Sequence, residues 1–331
     1  MFLERKNNGD GRDWQPSATI EHLRIRAQVL KTIRDFFAAR GVMEVETPLM
    51  CHTSVTDPFI QSIPVLFQAH PQEQEQRYYL QTSPEYAMKR LLAANSGAIY
   101  QITKAFRQGE IGRFHNPEFT MLEWYRPQYH HHDLMDEMDE LLQLILNMPA
   151  AERKSYAEVF QLFLHFDPHA ASLEELAACA KQQGVVVAEN VTDRDTWLQL
   201  LMSYCIEPQL GHDRPYFIYD FPASQAALAR IQPGNPPVAS RFEVYVQGIE
   251  LANGFHELLD AKEQRKRFEH NLRERQQLGL TELLIDEYFL AALAHGLPDC
   301  AGVALGIDRL MMLVMQRQTI KEVVSFDFER V

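Results

Sequence analysis

The stretch Ala105–Tyr125 reads AFRQGEIGRFHNPEFTMLEWY, and its pattern decides the fold. An apolar-alternating run ends in Arg107, a short polar loop follows, and a second run carries Phe119, Met121, Glu123 and Tyr125. Side chains two apart in a strand share a face, so these four point one way. A ring to stack on, a carboxylate and a phenol then stand beside a loop rich in donors, with Glu110, Arg113, His115 and Asn116 crowded into it. Such a hairpin can hold a nucleotide and a small cationic molecule side by side. A charged hydrogen bond contributes about 1.5–3 kcal/mol, so two or three from Arg107 and its neighbours account for nucleotide binding.

Outward from the hairpin, Leu23, Ala27, Leu30, Ile33 and Phe37 keep helical spacing and Gly41 is a natural stop. Val42 to Thr47 alternates like a strand and meets Pro48. Thr82-Ser83-Pro84-Glu85 opens a helix with a hydroxyl at the cap and proline in the first turn. Leu134, Met138, Leu141, Leu142 and Ile145 mark another helix. Residues 150–215 read as an insertion between the halves of a site, with Ser172 and Glu175 as a capping box for a helix ending near Gly184. Phe242 to Gln247 and Ile249 to Leu258 form a second hairpin. Asp286 caps a helix stopping at Gly296, and Ala301 to Gly306 is a small-residue strand entering a helix at Ile307. Strands joined by hairpins predict an antiparallel sheet and an α+β fold behind a mobile tail, 1–15, and the length allows one large domain or two smaller ones.

The chain has 331 residues, 46% hydrophobic and 23% charged, enough to bury a large core. No apolar run approaches the roughly 20 residues of a membrane span, and the start MFLERKNNGDGRDW has no apolar leader core. Four scattered cysteines without CxxC spacing indicate neither disulfides nor zinc, and suit a reducing cytoplasm. A formal net charge of −13 favours a small substrate or a basic protein over extensive nucleic-acid contact. The basic run Lys262–Arg275 is interleaved with Glu263, Glu269 and Glu274, and reads as a solvated helix face.

Glu250, Asn253 and Glu257 lie in GIELANGFHELLDA among apolar neighbours, where carboxylates are costly without a partner. Mg²⁺ bound to substrate phosphates would be one. Strict alternation sets Asn253, Phe255 and Glu257 on one face and Glu250 on the other, so an irregularity near Gly254 is needed. His256-Glu257 begins an HExxH pattern, but Asp260 stands where the second histidine belongs, and the zinc reading fails. Arg309 follows Gly306-Ile307-Asp308 at a helix start, against the helix dipole, which a bound polyphosphate would offset. His130, His131 and His132 read as a solvated loop.

With these blocks in hand, the chain resembles class II aminoacyl-tRNA synthetases, in particular the lysyl-tRNA synthetase catalytic domain. Gly41–Pro48 resembles motif 1, Phe106–Tyr125 motif 2 and Gly302–Arg309 motif 3. Lysine preference is supported by TSPEY at Thr82–Tyr86, by Glu123 with Tyr125, and by Asn253-Gly-Phe-His-Glu257. There is no room before Trp14 for an anticodon-binding barrel, and Ala304 replaces a motif 3 glycine. The pattern is similar to the truncated paralogues in this family that attach (R)-β-lysine to elongation factor P, using ATP and Mg²⁺.

The resemblance implies that Arg107 holds the α-phosphate, Phe119 stacks on adenine, and Glu110 and Asn116 meet the base. The family's glutamate two places after Arg107 is Gly109 here, so Glu110 is the candidate for that contact. His115 and Arg309 reach the outer phosphates; Gln108, Gly109, Leu251 and Gly306 complete the ATP site. Glu250 and Glu257 hold the metal. Ser83, Pro84, Glu85, Glu123, Tyr125, Asn253, Glu257 and Ala304 line the amino-acid pocket, where the Ala304 methyl disfavours α-lysine. The resemblance also implies a cytoplasmic homodimer with elongation factor P replacing tRNA as acceptor. The alternatives are a truncated enzyme that charges tRNA, a non-catalytic amino-acid sensor and a structural dimer module. Retention of Arg107, Glu250, Glu257 and Arg309 argues against the sensor, and the module leaves the buried acids unexplained.

Overall fold

Helix α1 (Ile20–Ala39) starts where the Thr19 hydroxyl accepts the His22 N–H, and ends before Gly41 at φ +65°, a left-handed position that suits glycine. The computed structural model describes residues 14–186, 191 and 193–331. The expected tail, 1–15, lies outside them except for Trp14 and Gln15. After α1 come β1 (Met43–Glu44) and a three-stranded sheet of β2 (Met50–Cys51), β3 (Pro64–Phe67) and β4 (Gln76–Leu80), which the hydrophobic pattern did not announce. Helix α2 (Glu85–Ala93) follows. Pro84 occupies its cap position, and the Ser83 hydroxyl accepts the Glu85 N–H at 3.3 Å.

The expected hairpin is β5 (Ile99–Phe106) and β6 (Glu118–Pro127), in unbroken antiparallel register from Ile99 opposite Tyr125 to Phe106 opposite Glu118. Helix α3 (His131–Leu146) comes next, and the histidine run belongs to its start rather than to a solvated loop. His131 is buried, with its Nε2 3.5 Å from Asp220. Residues 150–215 hold β7 (Glu152–Ser155), α4 (Tyr156–Leu164), α5 (Leu173–Gln182) and α6 (Arg194–Leu201), followed by β8 (Tyr216–Pro222). The capping box at Ser172 and Glu175 is present. Strands β9 (Ile231–Gln232), β10 (Val238–Val246) and β11 (Ile249–His256) lead to α7 (Ala261–Gln277), α8 (Glu287–Gly296), β12 (Cys300–Gly306) and α9 (Ile307–Val314).

The main sheet runs β1-β5-β6-β12-β11-β10-β8-β7, with β9 on β10. The centre is antiparallel, as hairpins dictate. The outermost pairs, β1–β5 and β7–β8, are parallel, because helical crossovers and not turns deliver those strands. One face of the sheet packs Leu122, Trp124, Val303 and Leu305 against α1, α3 and α9 in the largest apolar cluster. The other face carries Tyr125 and Cys300 against Met88 of α2 and Phe289 of α8. Residues of α4, α5, α6 and β8 build a third cluster around Tyr156, Phe160, Leu198 and Ile218, joined by Tyr245 of β10, so the insertion extends the sheet as well as decorating it.

A buried ion pair ties α1 to motifs 2 and 3. Arg26 of α1 donates to Asp308 Oδ1 at 2.6 Å and to the Thr120 hydroxyl at 2.8 Å, while Asp308 Oδ2 accepts the Thr120 N–H at 2.7 Å. Among the described residues no helix is long and apolar enough to cross a membrane.

Candidate active site

Strand β6 puts Phe119, Met121, Glu123 and Tyr125 on one face, and all four open onto a cleft of about 1470 Å³. Arg107, Glu257 and Arg309, far apart in the chain, line the same cleft. Pro84, Gln108 and Gly109 do not. Gln108 donates its N–H to the Gln61 carbonyl at 2.8 Å, and Gly109 turns the loop at φ +81°.

At one end stand two arginines. Arg107 Cζ lies 5.1 Å from the Phe119 ring centroid, and its Nη1 is 3.5 Å from Glu110 Oε1. Its buried Nε has no hydrogen-bond partner. Arg309 donates through Nη1 to the Glu250 carbonyl at 2.8 Å and through Nη2 to His115 Nε2 at 2.7 Å. A guanidinium has no lone pair to offer, so His115 Nε2 accepts and its proton sits on Nδ1. Burial, and then the Arg309 charge, holds the His115 pKa below the ordinary value, keeping the ring neutral.

At the other end three carboxylates surround one lysine. Lys89 of α2, 1% exposed, has its Nζ 2.6 Å from Glu85 Oε1 and 2.5 Å from Glu257 Oε2. The Tyr125 hydroxyl donates to Glu123 Oε1 at 2.5 Å. Glu123 Oε2 and Glu257 Oε1 are buried without a hydrogen-bond partner. Burial, with the Glu85 charge adding, pushes Glu123 up to about 8. Burial likewise pushes Glu257 up to about 8 against the opposing pull of Lys89. Burial alone would lower Lys89, but Glu257 and Glu85 more than offset it, and the amine stays a cation.

Strand β12 runs between the two carboxylate-bearing strands. Ala304 pairs with Glu123 on β6 and Asn253 on β11, so its methyl shares the cleft face with both. Gly302 pairs with Tyr125; a Cβ there would collide with the Tyr125 ring and stand 2.6 Å from Glu257 Oε1. Only glycine leaves room for the phenol and the carboxylate together.

The chain matches the family described as tRNA synthetases class II (D, K and N) over residues 12–330. The chain belongs to this family. It is 54% identical over 317 residues to the elongation factor P--(R)-beta-lysine ligase of Vibrio vulnificus (strain YJ016), covering 96% of this chain and 98% of that protein. It is 52% identical over 322 residues to the protein of the same name from Edwardsiella ictaluri (strain 93-146), covering 97% and 99%. For the Haemophilus influenzae (strain ATCC 51907 / DSM 11121 / KW20 / Rd) protein of that name the figures are 52% over 313 residues, 95% and 97%.

Within this class II cleft, several sequence expectations need correction. The irregularity in the second hairpin exists, but at Leu251 and not at Gly254. Val244 pairs with Ala252 and Tyr245 with Glu250, leaving Leu251 as the extra residue, which turns Glu250 to the side of Asn253. Glu250 and Glu257 do not pair as metal ligands. Seven residues of extended chain, at about 3.3 Å each, separate them by roughly 20 Å, and Glu257 is engaged by Lys89. The acids near Glu250 are Glu243 on β10 and Glu207. Burial, helped by the charges of Glu243 and Glu250, pushes Glu207 up to about 7, and burial also raises Glu243. A hard divalent cation would relieve that repulsion, and the all-oxygen donor set fits Mg²⁺. Among the described residues no cluster of three or more metal-holding side chains forms.

Asn116 lines the cleft, but its amide is committed to the fold. It donates to the Glu118 carbonyl at 2.6 Å and accepts the Phe328 N–H at 3.0 Å. The run Lys262–Arg275 is not simply a solvated face: Lys266, Arg267, His270 and Arg273 border the cleft. Arg275 is buried, donating to the Asp57 carbonyl at 3.0 Å and to Gln61 at 3.1 Å. Sequence reasoning missed Lys89, Arg241 and Glu243. The i, i+4 spacing of Glu85 and Lys89 was the available signal for the first. Arg241 and Glu243 lie beside Asn253 only through strand pairing.

Proposed function

We propose that this protein activates (R)-β-lysine with ATP as an aminoacyl-adenylate and transfers it to a lysine side chain of elongation factor P. The observation that carries this reading is one cleft with arginines at one end and buried, partnerless carboxylate oxygens at the other. The first suits a triphosphate, the second the ammonium groups of a diamino acid. The names of the relatives agree with it over nearly the whole chain.

In this reading the substrate carboxylate attacks the α-phosphate in line and pyrophosphate leaves. Arg107 stabilises charge developing on the α-phosphate, and its unpartnered Nε is free for that. Arg309 and neutral His115 meet the outer phosphates, while Phe119 stacks on adenine and Glu110 meets the base. Ser83, Glu85, Glu123, Tyr125, Asn253 and Glu257 hold the amino acid, with Ala304 beneath it. Mg²⁺, when bound, neutralises phosphate charge, and Glu250 with Glu243 would hold it. Positioning and charge neutralisation supply most of the acceleration.

The acceptor lysine then attacks the adenylate carbonyl and AMP leaves. Elongation factor P, not tRNA, is the acceptor, in the cytoplasm. The catalytic unit covers 16–331, with 150–215 inserted between motifs 2 and 3. A homodimer through the motif 1 region accords with exposed Met43, Leu49 and Met50. Mass spectrometry of elongation factor P incubated with ATP and each lysine isomer tests the proposal. A mass gain of one β-lysyl group is expected; an unmodified factor alongside lysylated tRNA would favour the tRNA-charging alternative.

A further inference from the structure

The amine end of the cleft holds one more charge than substrate recognition needs. Glu85, Glu123 and Glu257 would be enough to receive ammonium groups, yet Lys89 is buried among them. It bridges Glu85 Oε1 at 2.6 Å and Glu257 Oε2 at 2.5 Å. Its aliphatic stem runs from α2, and Nζ also lies 5.8 Å from the centroid of the Phe289 ring. With all three carboxylates ionised, as they are when they hold ammonium groups, they and the one lysine ammonium leave a formal charge of −2. The buried oxygens without partners, Glu123 Oε2 and Glu257 Oε1, belong to two different carboxylates. A free amino acid with two ammonium groups brings +2 to this end once its carboxylate lies towards ATP.

We propose that Lys89 is a fixed internal counter-ion that sets the charge of this pocket at −2 and so specifies a diamino substrate. The inference rests on the reading above. Lys89 is a positioning residue: it acts through Glu85 and Glu257, aiming both and opposing the burial that raises Glu257, and leaves one free oxygen of Glu257 for the incoming amine. Fully ionised, the cluster without it would carry −3 in a buried site, which favours further proton uptake or splaying of the acids.

The test is amino-acid-dependent pyrophosphate exchange, with thermal unfolding as a fold check. Wild-type exchange with (R)-β-lysine comes first, since its absence would remove the functional reading itself and not the role of Lys89. Lys89→Met should raise KM for (R)-β-lysine by about tenfold or more, the weight of one misdirected charged hydrogen bond, with KM for ATP within about twofold. Lys89→Met combined with Glu85→Gln returns the formal charge to −2 and should bind (R)-β-lysine better than Glu85→Gln alone, a comparison that holds even if the single lysine variant fails to fold. An unchanged or lowered KM in Lys89→Met, or a double variant no better than Glu85→Gln, would mean that Lys89 only fills space or occupies the substrate's place.

Discussion

The two ends of the cleft handle charge in opposite ways. The end proposed for phosphates is built from Arg107 and Arg309, partly buried and held by carbonyls, a neutral imidazole and an aromatic face. The amine end buries Glu123, Glu257 and Lys89 almost completely. A guanidinium stays cationic at any ordinary pH even when partly buried, so that end would be ready for ATP throughout. Buried carboxylates hold a cation more tightly but resist ionisation, so the amine end gains selectivity and becomes sensitive to pH. In the proposed reaction, chemistry is concentrated at the first end and recognition at the second.

The sharpest way to break this contrast is to remove one group from each end. Arg107→Ala should lower the rate of adenylate formation by about 10²–10³, as for other donors aimed at developing charge. KM for the amino acid should stay near its original value, and pyrophosphate exchange under saturating substrates measures both. Glu123→Gln should do the reverse. Losing a charged partner for an ammonium costs about 1.5–3 kcal/mol, and the loss should fall on KM for the diamino acid, leaving KM for ATP alone. Equal effects on both substrates from either variant would dissolve the division of labour.

The pH dependence sharpens it further. Glu123 and Glu257 are pushed up to about 8, and an ammonium is held only by their ionised forms. KM for the amino acid should therefore fall as pH rises from about 6 to 9, while KM for ATP stays flat. The stability sign runs the other way. A carboxyl with pKa of about 8 when folded and about 4.3 when unfolded contributes stability fully below the lower value, and that contribution is lost as pH rises through the higher one. Without substrate the midpoint of thermal unfolding should decline across this window, and saturating diamino acid should reduce the decline.

The same division explains what was legible in the sequence. The hairpin of β5 and β6, its one-sided row from Phe119 to Tyr125, and the strand-to-helix entry at Gly306 follow from period-two patterning and glycine placement, which are local. Arg107, Arg309 and Glu123 were found because each sits at a fixed offset within such a pattern. Lys89 and Glu243 were not, since their significance comes from what the sheet and α2 bring beside them. The metal assignment to Glu257 failed for the same reason: alternation places it on the cleft face but says nothing of the 2.5 Å contact with Lys89. The three-stranded sheet of β2, β3 and β4 escaped notice because its strands are short and mostly exposed, which leaves no hydrophobic period to read.

The smallest expected effect concerns the floor of the pocket between the two ends. Ala304 stands between Glu123 and Asn253 on neighbouring strands, so its methyl shares the cleft face with them, and in the proposed reaction the backbone of the bound amino acid passes over it. An α-amino acid carries its amine one carbon nearer the carboxylate than a β-amino acid does, and in that reading the methyl favours the longer spacing. Differences of one carbon in a pocket are worth only about 1–3 kcal/mol, so the preference is leaky by construction. Ala304→Gly should improve adenylate formation with α-lysine by about fivefold, near the low end of that range, and leave Arg107-dependent steps untouched. Pyrophosphate exchange with the two isomers in parallel reads the ratio directly. An unchanged ratio would place isomer selection in the carboxylate cluster and not on β12.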